Sequence, residues 1–401
     1  MQRNAIALLL LLRGTIACSA SEGAGPIPND ATGSDSTGPQ GGTSSEPDDV
    51  SSGSSSTNDP QAPETAASAD ASTSGGQTSE TTTGDESTGG ASVPCPEAPD
   101  SLARWLVGND ADADVSPAGP SLVMMGGGPD VDAAFVWWRD RLSNGDVVVL
   151  RATGEDGYND YLFTDIGGAD SVETLRVDSA TLADDPYVVC RIAQAEGVFL
   201  AGGDQSTYMT LWKDHGVGDA LMQAWDRGAV LGGTSAGLAV LGEFVFGAYN
   251  DTVYSDEALG DPYNRYMTMD QGMLALAPLV GVVTDTHFAQ RDRMGRLLAF
   301  VARIVQDGWA DTVLGIGVDE ATALLVDADG SATVVGEGSV YVLRSAGIPQ
   351  VCAADEPLSY AELELVRLQA GDAIALPAGT TDVPATALSA FGGALDPADP
   401  Y

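Results

Sequence analysis

A serine lies among small residues in Gly232-Gly233-Thr234-Ser235-Ala236-Gly237, directly after the apolar run Gly228-Ala229-Val230-Leu231. Glycines two residues before and after a serine that ends a short buried strand and opens a helix form the pattern of a nucleophile elbow. Such a turn lifts the Ser235 hydroxyl out of the sheet. It also aims the amide of Ala236 at a developing oxyanion beside a helix N-terminus. A nucleophilic serine needs a base, and the chain has two histidines. His215, in Lys213-Asp214-His215-Gly216, belongs to a polar helix end or loop and reads as a solvated residue. His287 follows the apolar run 282–286 at its carboxyl end and is the candidate base. A carboxylate must then orient the imidazole. Glu320, closing the run 315–320, is the first choice, with Asp319 or Asp285 as alternatives.

A second oxyanion donor is expected from a neighbouring loop, and Gly202-Gly203-Asp204-Gln205 after the run 198–201 offers the amide of Gly203. Gln205 there is a candidate to hold substrate through its side-chain amide, or else merely caps the following helix. Arg291, Arg293 and Arg296 gather within a turn and a half next to His287. Guanidinium forks pair bidentately with carboxylates, so these three invite anionic substrate groups; the plainer role is a set of surface ion pairs. Gly126-Gly127-Gly128-Pro129-Asp130 lacks the Gly-Lys-Ser/Thr of a phosphate loop and reads as a tight turn after the first strand.

The elements that must position these groups alternate. Short apolar runs at 121–125, 146–150, 172–177, 198–201, 229–231, 282–286 and 313–318 predict strands. Longer amphipathic stretches at 131–142, 185–196, 219–227 and 291–306 predict helices. The fold class is therefore α/β: three layers, a mostly parallel sheet with helices on both faces, ligands binding beyond the carboxyl ends of the strands. After 320 the texture turns β-rich, at 323–326, 333–335, 340–343 and 363–376, read as closing strands of the same domain.

Composition bounds the rest. Residues 1–18 carry Arg3, an apolar run and Thr15-Ile16-Ala17-Cys18, the shape of an export leader with a lipidation cysteine at Cys18, although Arg13 and Thr15 depart from that pattern. Residues 19–94, rich in Ser, Thr, Gly and Asp, read as a disordered acidic linker. The folded domain is expected over 95–385, with 386–401 as a flexible tail. The formal net charge is −41, and Lys213 is the one lysine, so nucleic acid is an unsuitable partner. Cys95, Cys190 and Cys352 lack metal-ligand spacing; one disulfide, expected between Cys95 and Cys352, plus one buried thiol suits an exported protein.

Taken together, Gly202 to Gln205, Gly233 to Gly237, the run 285–296 and the run 315–323 closely resemble cyanophycinase, a serine peptidase family on the glutamine amidotransferase-like fold. The resemblance spans roughly residues 120 to 376. It implies Ser235 as nucleophile, His287 as base and Glu320 as its partner, with Gln205, Asp285, Arg291, Arg293 and Arg296 on the substrate side. It implies a substrate with a polyaspartate backbone bearing arginine on each β-carboxylate, cut to β-aspartyl-arginine dipeptides. No metal or cofactor is implied, and a homodimer is left open. Leu238 departs from the alanine common after the elbow and either crowds the pocket or packs in the helix. An aspartyl dipeptidase and a non-catalytic surface binding module on the same fold are the competing readings.

Overall fold

The computed structural model describes residues 93–401. The leader, the Cys18 anchor and the linker up to residue 92 lie outside the described residues. Residues along Ser121–Met125 and Asp146–Arg151 alternate between two faces, as strand geometry requires. Val123, Met125, Val147 and Val149 pack with Phe199 against Phe135 and Trp138 of the helix Asp132–Arg139. Leu122, Met124, Val148 and Leu150 face the other way, onto Val188 and Ile192 of the helix Pro186–Gln194 and Ala220 and Leu221 of the helix Gly216–Arg227. Each of these large side chains is fully buried, contributing roughly 1.5–3 kcal/mol apiece. Helices therefore cover both faces of this sheet, and the fold is α/β.

The first sheet has nine strands in the order Ala103–Gly108, Ser171–Arg176, Asp146–Arg151, Gly197–Leu200, Val230–Thr234, Ser121–Met125, Thr322–Val326, Ser331–Gly336 and Ala373–Ala375. Its five central strands, from Ser171–Arg176 to Ser121–Met125, are parallel. The strands anticipated at 282–286, 313–318 and 340–343 and the first part of 363–376 join four unanticipated ones in a second, eight-stranded sheet. Its order is Ala394–Asp396, Thr386–Phe391, Tyr360–Leu368, Val340–Arg344, Leu314–Val318, Val282–Asp285, Phe244–Phe246 and Met269–Gln271. Both edges of Val230–Thr234 are already paired, so Val282–Asp285 pairs in parallel with Leu314–Val318 instead. Ile316, Val318, Val340 and Val342 pack into the same core as Leu122 and Met124, and the far face of this sheet is covered by the helix Met294–Gln306.

Three expectations need correction. Cys95 is bonded to Cys190, not to Cys352. The segment after Val93 runs along the helix Pro186–Gln194, whose Gln194 Nε2 donates to the Val93 carbonyl at 2.7 Å, while Cys352 is a free thiol buried beneath the second sheet's helix. The stretch 363–376 is two strands in different sheets, parted by a turn in which Asp372 N donates to the Gln369 carbonyl at 2.9 Å. Residues 386–401 do not trail off. They form the hairpin of Thr386–Phe391 with Ala394–Asp396 on the edge of the second sheet and end with Tyr401 packed on Phe288 and Tyr341.

Candidate active site

Ser235 sits between the strand Val230–Thr234 and the helical turn Ala236–Ala239, with φ 52° and ψ −120°. That conformation is sparsely populated by residues with a side chain and persists only where the surroundings impose it. Here Ser235 N donates to the Met125 carbonyl at 3.2 Å and Ala239 N to the Ser235 carbonyl at 2.9 Å. The flanking glycines are steric requirements. A Cβ on Gly237 would lie 2.0 Å from the Leu200 carbonyl oxygen, and one on Gly233 2.6 Å from the backbone of Gly237. Leu238 is fully buried in the core shared by the two sheets, so it packs in the helix and does not crowd the pocket.

His287 and Glu320 come from the other sheet. His287 follows Val282–Asp285, and Glu320 lies at the crossover from Leu314–Val318 to Thr322–Val326 in the first sheet. Ser235 Oγ is 2.7 Å from His287 Nε2, and His287 Nδ1 is 2.6 Å from Glu320 Oε1. An ionised carboxylate only accepts, so Nδ1 carries the proton and Nε2 is free to accept from the serine hydroxyl. Burial pushes His287 below its ordinary pKa; the hydrogen bond it donates to Glu320 opposes this, and the cations of Arg291 and Arg293 reinforce it. The imidazole is thereby kept neutral near pH 7, with Nε2 free to take a proton.

The floor of this relay is a feature that sequence reasoning missed. Gly126 accepts from His287 N at 2.8 Å, and Gly127 accepts from Ala321 N at 3.0 Å. A Cβ on Gly127 would lie 2.5 Å from the imidazole Cε1, and one on Gly128 2.9 Å from Glu320 Cβ. The triple glycine is therefore a bridge that lets the first sheet's backbone slide under the base. The available signal was glycine at three successive positions after a buried strand, more than one tight turn needs.

The other candidate acids have different partners. Asp319 accepts from Ala289 N at 2.8 Å and Ser339 N at 2.9 Å, bracing the loop after the base. Asp285 is buried and binds Arg296 in a two-point pair, Nε to Oδ2 at 2.7 Å and Nη2 to Oδ1 at 2.5 Å. Burial favours the neutral acid, but Arg296 and Arg293 outweigh it and hold the Asp285 carboxyl below its usual range. Arg296 also donates to Thr252 Oγ1 at 3.1 Å. These two residues, expected to face substrate, face each other. Arg293 donates to the Thr286 carbonyl at 2.8 Å; burial, opposed by Asp285, brings its pKa down to about 10, so it stays charged at neutral pH. Arg291 is exposed, and its guanidinium has no hydrogen-bond or ion-pair partner among the described residues.

On the other side of Ser235, a Cβ built on Gly202 would lie 3.5 Å from the serine Cβ, so the Gly202-Gly203 loop borders the nucleophile. The Gly203 amide has no backbone acceptor among the described residues. Ala236 N opens a helical turn and has no acceptor within it. Tyr208, unremarked in the sequence, fixes this loop: its hydroxyl lies 2.9 Å from the Ala201 carbonyl and 3.0 Å from that of Gly202. Asp204, not Gln205, caps the following helix, accepting from Ser206 N at 2.9 Å, and Gln205 Nε2 donates to the Phe246 carbonyl at 2.8 Å. A cleft of about 610 Å³ starts at Gly203 and Gln205 and runs past Tyr249 and Tyr254 to Arg291 and Arg293. His215 pairs instead with Asp184 at 2.8 Å, apart from this cleft.

A model of "Peptidase family S51" matches residues 161–334, a span that holds Ser235, His287 and Glu320. The chain is 33% identical over 220 residues to a cyanophycinase of Synechococcus elongatus, covering 54% of this chain and 63% of that protein. It is 34% identical over 211 residues to the cyanophycinase of a Nostoc species, covering 51% and 65%. The alignments thus span somewhat less than two thirds of the length of these relatives. Among solved structures, a peptidase from an acI-B1 Actinobacterium superposes with a TM-score of 0.44 at 17% identity, over 65% of this chain and 99% of that one. The span that matches the peptidase family S51 model thus holds the elbow serine, its histidine and its glutamate, and the chain is similar to that family and to these cyanophycinases over it.

Proposed function

We propose that this protein is an exported serine exopeptidase that hydrolyses cyanophycin to β-aspartyl-arginine dipeptides through an acyl-enzyme. The observation that carries the reading is the continuous relay from Ser235 through His287 to Glu320, at 2.7 and 2.6 Å, opening beside a cleft with an arginine that has no partner among the described residues. His287 Nε2 takes the hydroxyl proton as Ser235 Oγ adds to the scissile carbonyl carbon. The resulting oxyanion is held by the amides of Gly203 and Ala236. Collapse expels the amine, protonated by His287; water, deprotonated by the same nitrogen, then releases the acyl group and restores the serine. Arg291 and Arg293 suit substrate carboxylates, and the acidic wall at Asp204 and Asp251 suits a substrate guanidinium. Gln205 lines the cleft near the reacting carbonyl. The Cys95–Cys190 disulfide supports export, because such bonds persist in oxidising compartments.

The test is incubation of the full chain with insoluble cyanophycin, following soluble β-aspartyl-arginine by mass spectrometry beside Ser235→Ala. Release by the unaltered protein alone is expected. No release, with Ser235 still labelled by an active-site phosphonate, redirects the search to aspartyl dipeptides; no labelling favours a binding module. The mature amino terminus, read by mass spectrometry, tests export: it is expected after the leader, with acyl mass on Cys18 if the anchor is used.

A further inference from the structure

We infer that Tyr401 is a positioning residue, a latch that holds the loop carrying Arg291 and Arg293 in its substrate-binding form. The inference rests on the proposed reaction for its kinetic readout. The loop begins at Phe288, directly after the base, makes a single turn over Ala289–Arg291, and enters the helix Met294–Gln306 through Asp292 at φ 48°. A left-handed residue between a short turn and a helix is a weak joint unless something holds it. Tyr401 holds it from both sides. Its hydroxyl accepts from Met294 N at 2.8 Å, one of the helix's orphan amides, and donates to Asp292 Oδ1 at 3.0 Å. Its ring meets Phe288 edge-on at 6.1 Å and Tyr341 at 5.6 Å. Ser255 secures the other flank, donating to the Asp292 carbonyl and accepting from Arg296 N at 3.2 Å.

Arg293 and Arg296 have side-chain partners of their own, Thr286 and Asp285. Arg291 has none among the described residues, so the backbone of this loop is what places its charge over the cleft. The residues after the hairpin strand Ala394–Asp396 carry the chain from the edge of the second sheet to Val340–Arg344 and Phe288. They thereby couple that hairpin to the arginine loop. Removal of the hydroxyl frees both Asp292 and Met294 N while leaving the ring contacts in place.

The experiment uses the full chain as wild type, Tyr401→Phe, Tyr401→Ala, Arg291→Ala and the double variant Tyr401→Phe/Arg291→Ala. It measures KM and kcat for β-aspartyl-arginine release from short soluble cyanophycin oligomers, and hydrogen exchange of peptides covering 288–296. Tyr401→Phe is expected to raise KM about five- to ten-fold, the scale of a lost net hydrogen bond, with kcat changed less than about two-fold. Exchange is expected to rise in 288–296, and the double variant to show little beyond Arg291→Ala. Because Arg291 helps keep His287 neutral, the acid limb of kcat/KM should also move to higher pH in Tyr401→Phe. Unchanged KM and unchanged exchange in Tyr401→Phe, or a fall in melting temperature alone, would overturn the latch. If the wild type releases no dipeptide, the proposed reaction fails, and the exchange of 288–296 still decides the latch.

Discussion

Replacing Ser235 by glycine should leave a more stable protein than replacing it by alanine, with the proposed reaction abolished in both. At φ 52° and ψ −120° the serine occupies backbone space that a side chain enters at about 1–3 kcal/mol and glycine enters freely. Glycine gives back part of that gain, about 0.4–1 kcal/mol, through the larger entropy of its unfolded chain. The appropriate reference is Ser235→Ala, which keeps the Cβ and the strain. Both variants lose the hydroxyl bonded to His287, so that loss cancels, and the serine side chain makes no helix-capping bond that would separate them. The glycine variant should therefore exceed the alanine variant by roughly 0.5–2 kcal/mol, a melting difference of about 1–6 °C for a folded region of this size. Urea midpoints and thermal melts of the two inactive proteins give the comparison. An alanine variant as stable as the glycine variant, or more so, would refute the claim that the elbow stores backbone strain.

The low pKa of His287, set by burial and the neighbouring arginines against Glu320, places the acid limb of kcat/KM below the ordinary histidine value of 6.5. Arg291→Ala should move that limb to higher pH and Glu320→Gln to lower pH, read from pH–rate profiles. Asp285→Asn leaves Arg296 buried without its counter-charge and should lose about 3–5 kcal/mol in urea unfolding at pH 7. Because the folded Asp285 pKa is depressed, the stability it supplies is present above about pH 4 and lost as pH falls through the folded value, so the Asn variant should lack that part of the acid slope. Gly237→Ala drives a Cβ to 2.0 Å from the Leu200 carbonyl and should slow phosphonate labelling of Ser235 by about 100-fold or more. Cys190→Ser opens a cross-link between residues 95 apart and should cost about 4–5 kcal/mol on the chain-entropy account, measured by urea unfolding with and without reductant.

The turn at Ser235 and the meeting of His287 and Glu320 with it were legible because each of the three ends an apolar run, where the strand period and a local glycine requirement leave marks on consecutive residues. The central strands were legible for the same reason, since burial on both faces makes them uniformly apolar. What escaped depends on contacts far along the chain. Nothing local at 282–286 says that both edges of Val230–Thr234 are taken, so one sheet was expected where two exist. Cys95 with Cys190 rests on how one segment runs along a helix, and the pairing of Asp285 with Arg296 on an eleven-residue reach across a loop. The strand Ala103–Gly108 and the short elements Phe244–Phe246, Ser255–Gly260 and Met269–Gln271 also passed unread; they are too short or too polar for a clear period. The Ala-, Pro- and Asp-rich end reads as a tail, because its ordering comes from pairing with Tyr360–Leu368 and from one aromatic ring, not from its own composition.

The serine belongs to one sheet and its histidine to the other, so their 2.7 Å separation is a gauge of how the two slabs are seated. A slip of about 1 Å along their common core leaves every strand paired yet ends proton transfer, which tolerates little misplacement. Turnover should thus fail early in denaturant, ahead of the loss of helix and strand signal, as sub-global opening precedes melting. The glycine bridge at 126–128 acts as the spacer in that gauge: its thinness sets the approach of the slabs, and a Cβ at 127 or 128 would press on the His287 ring or the Glu320 side chain themselves.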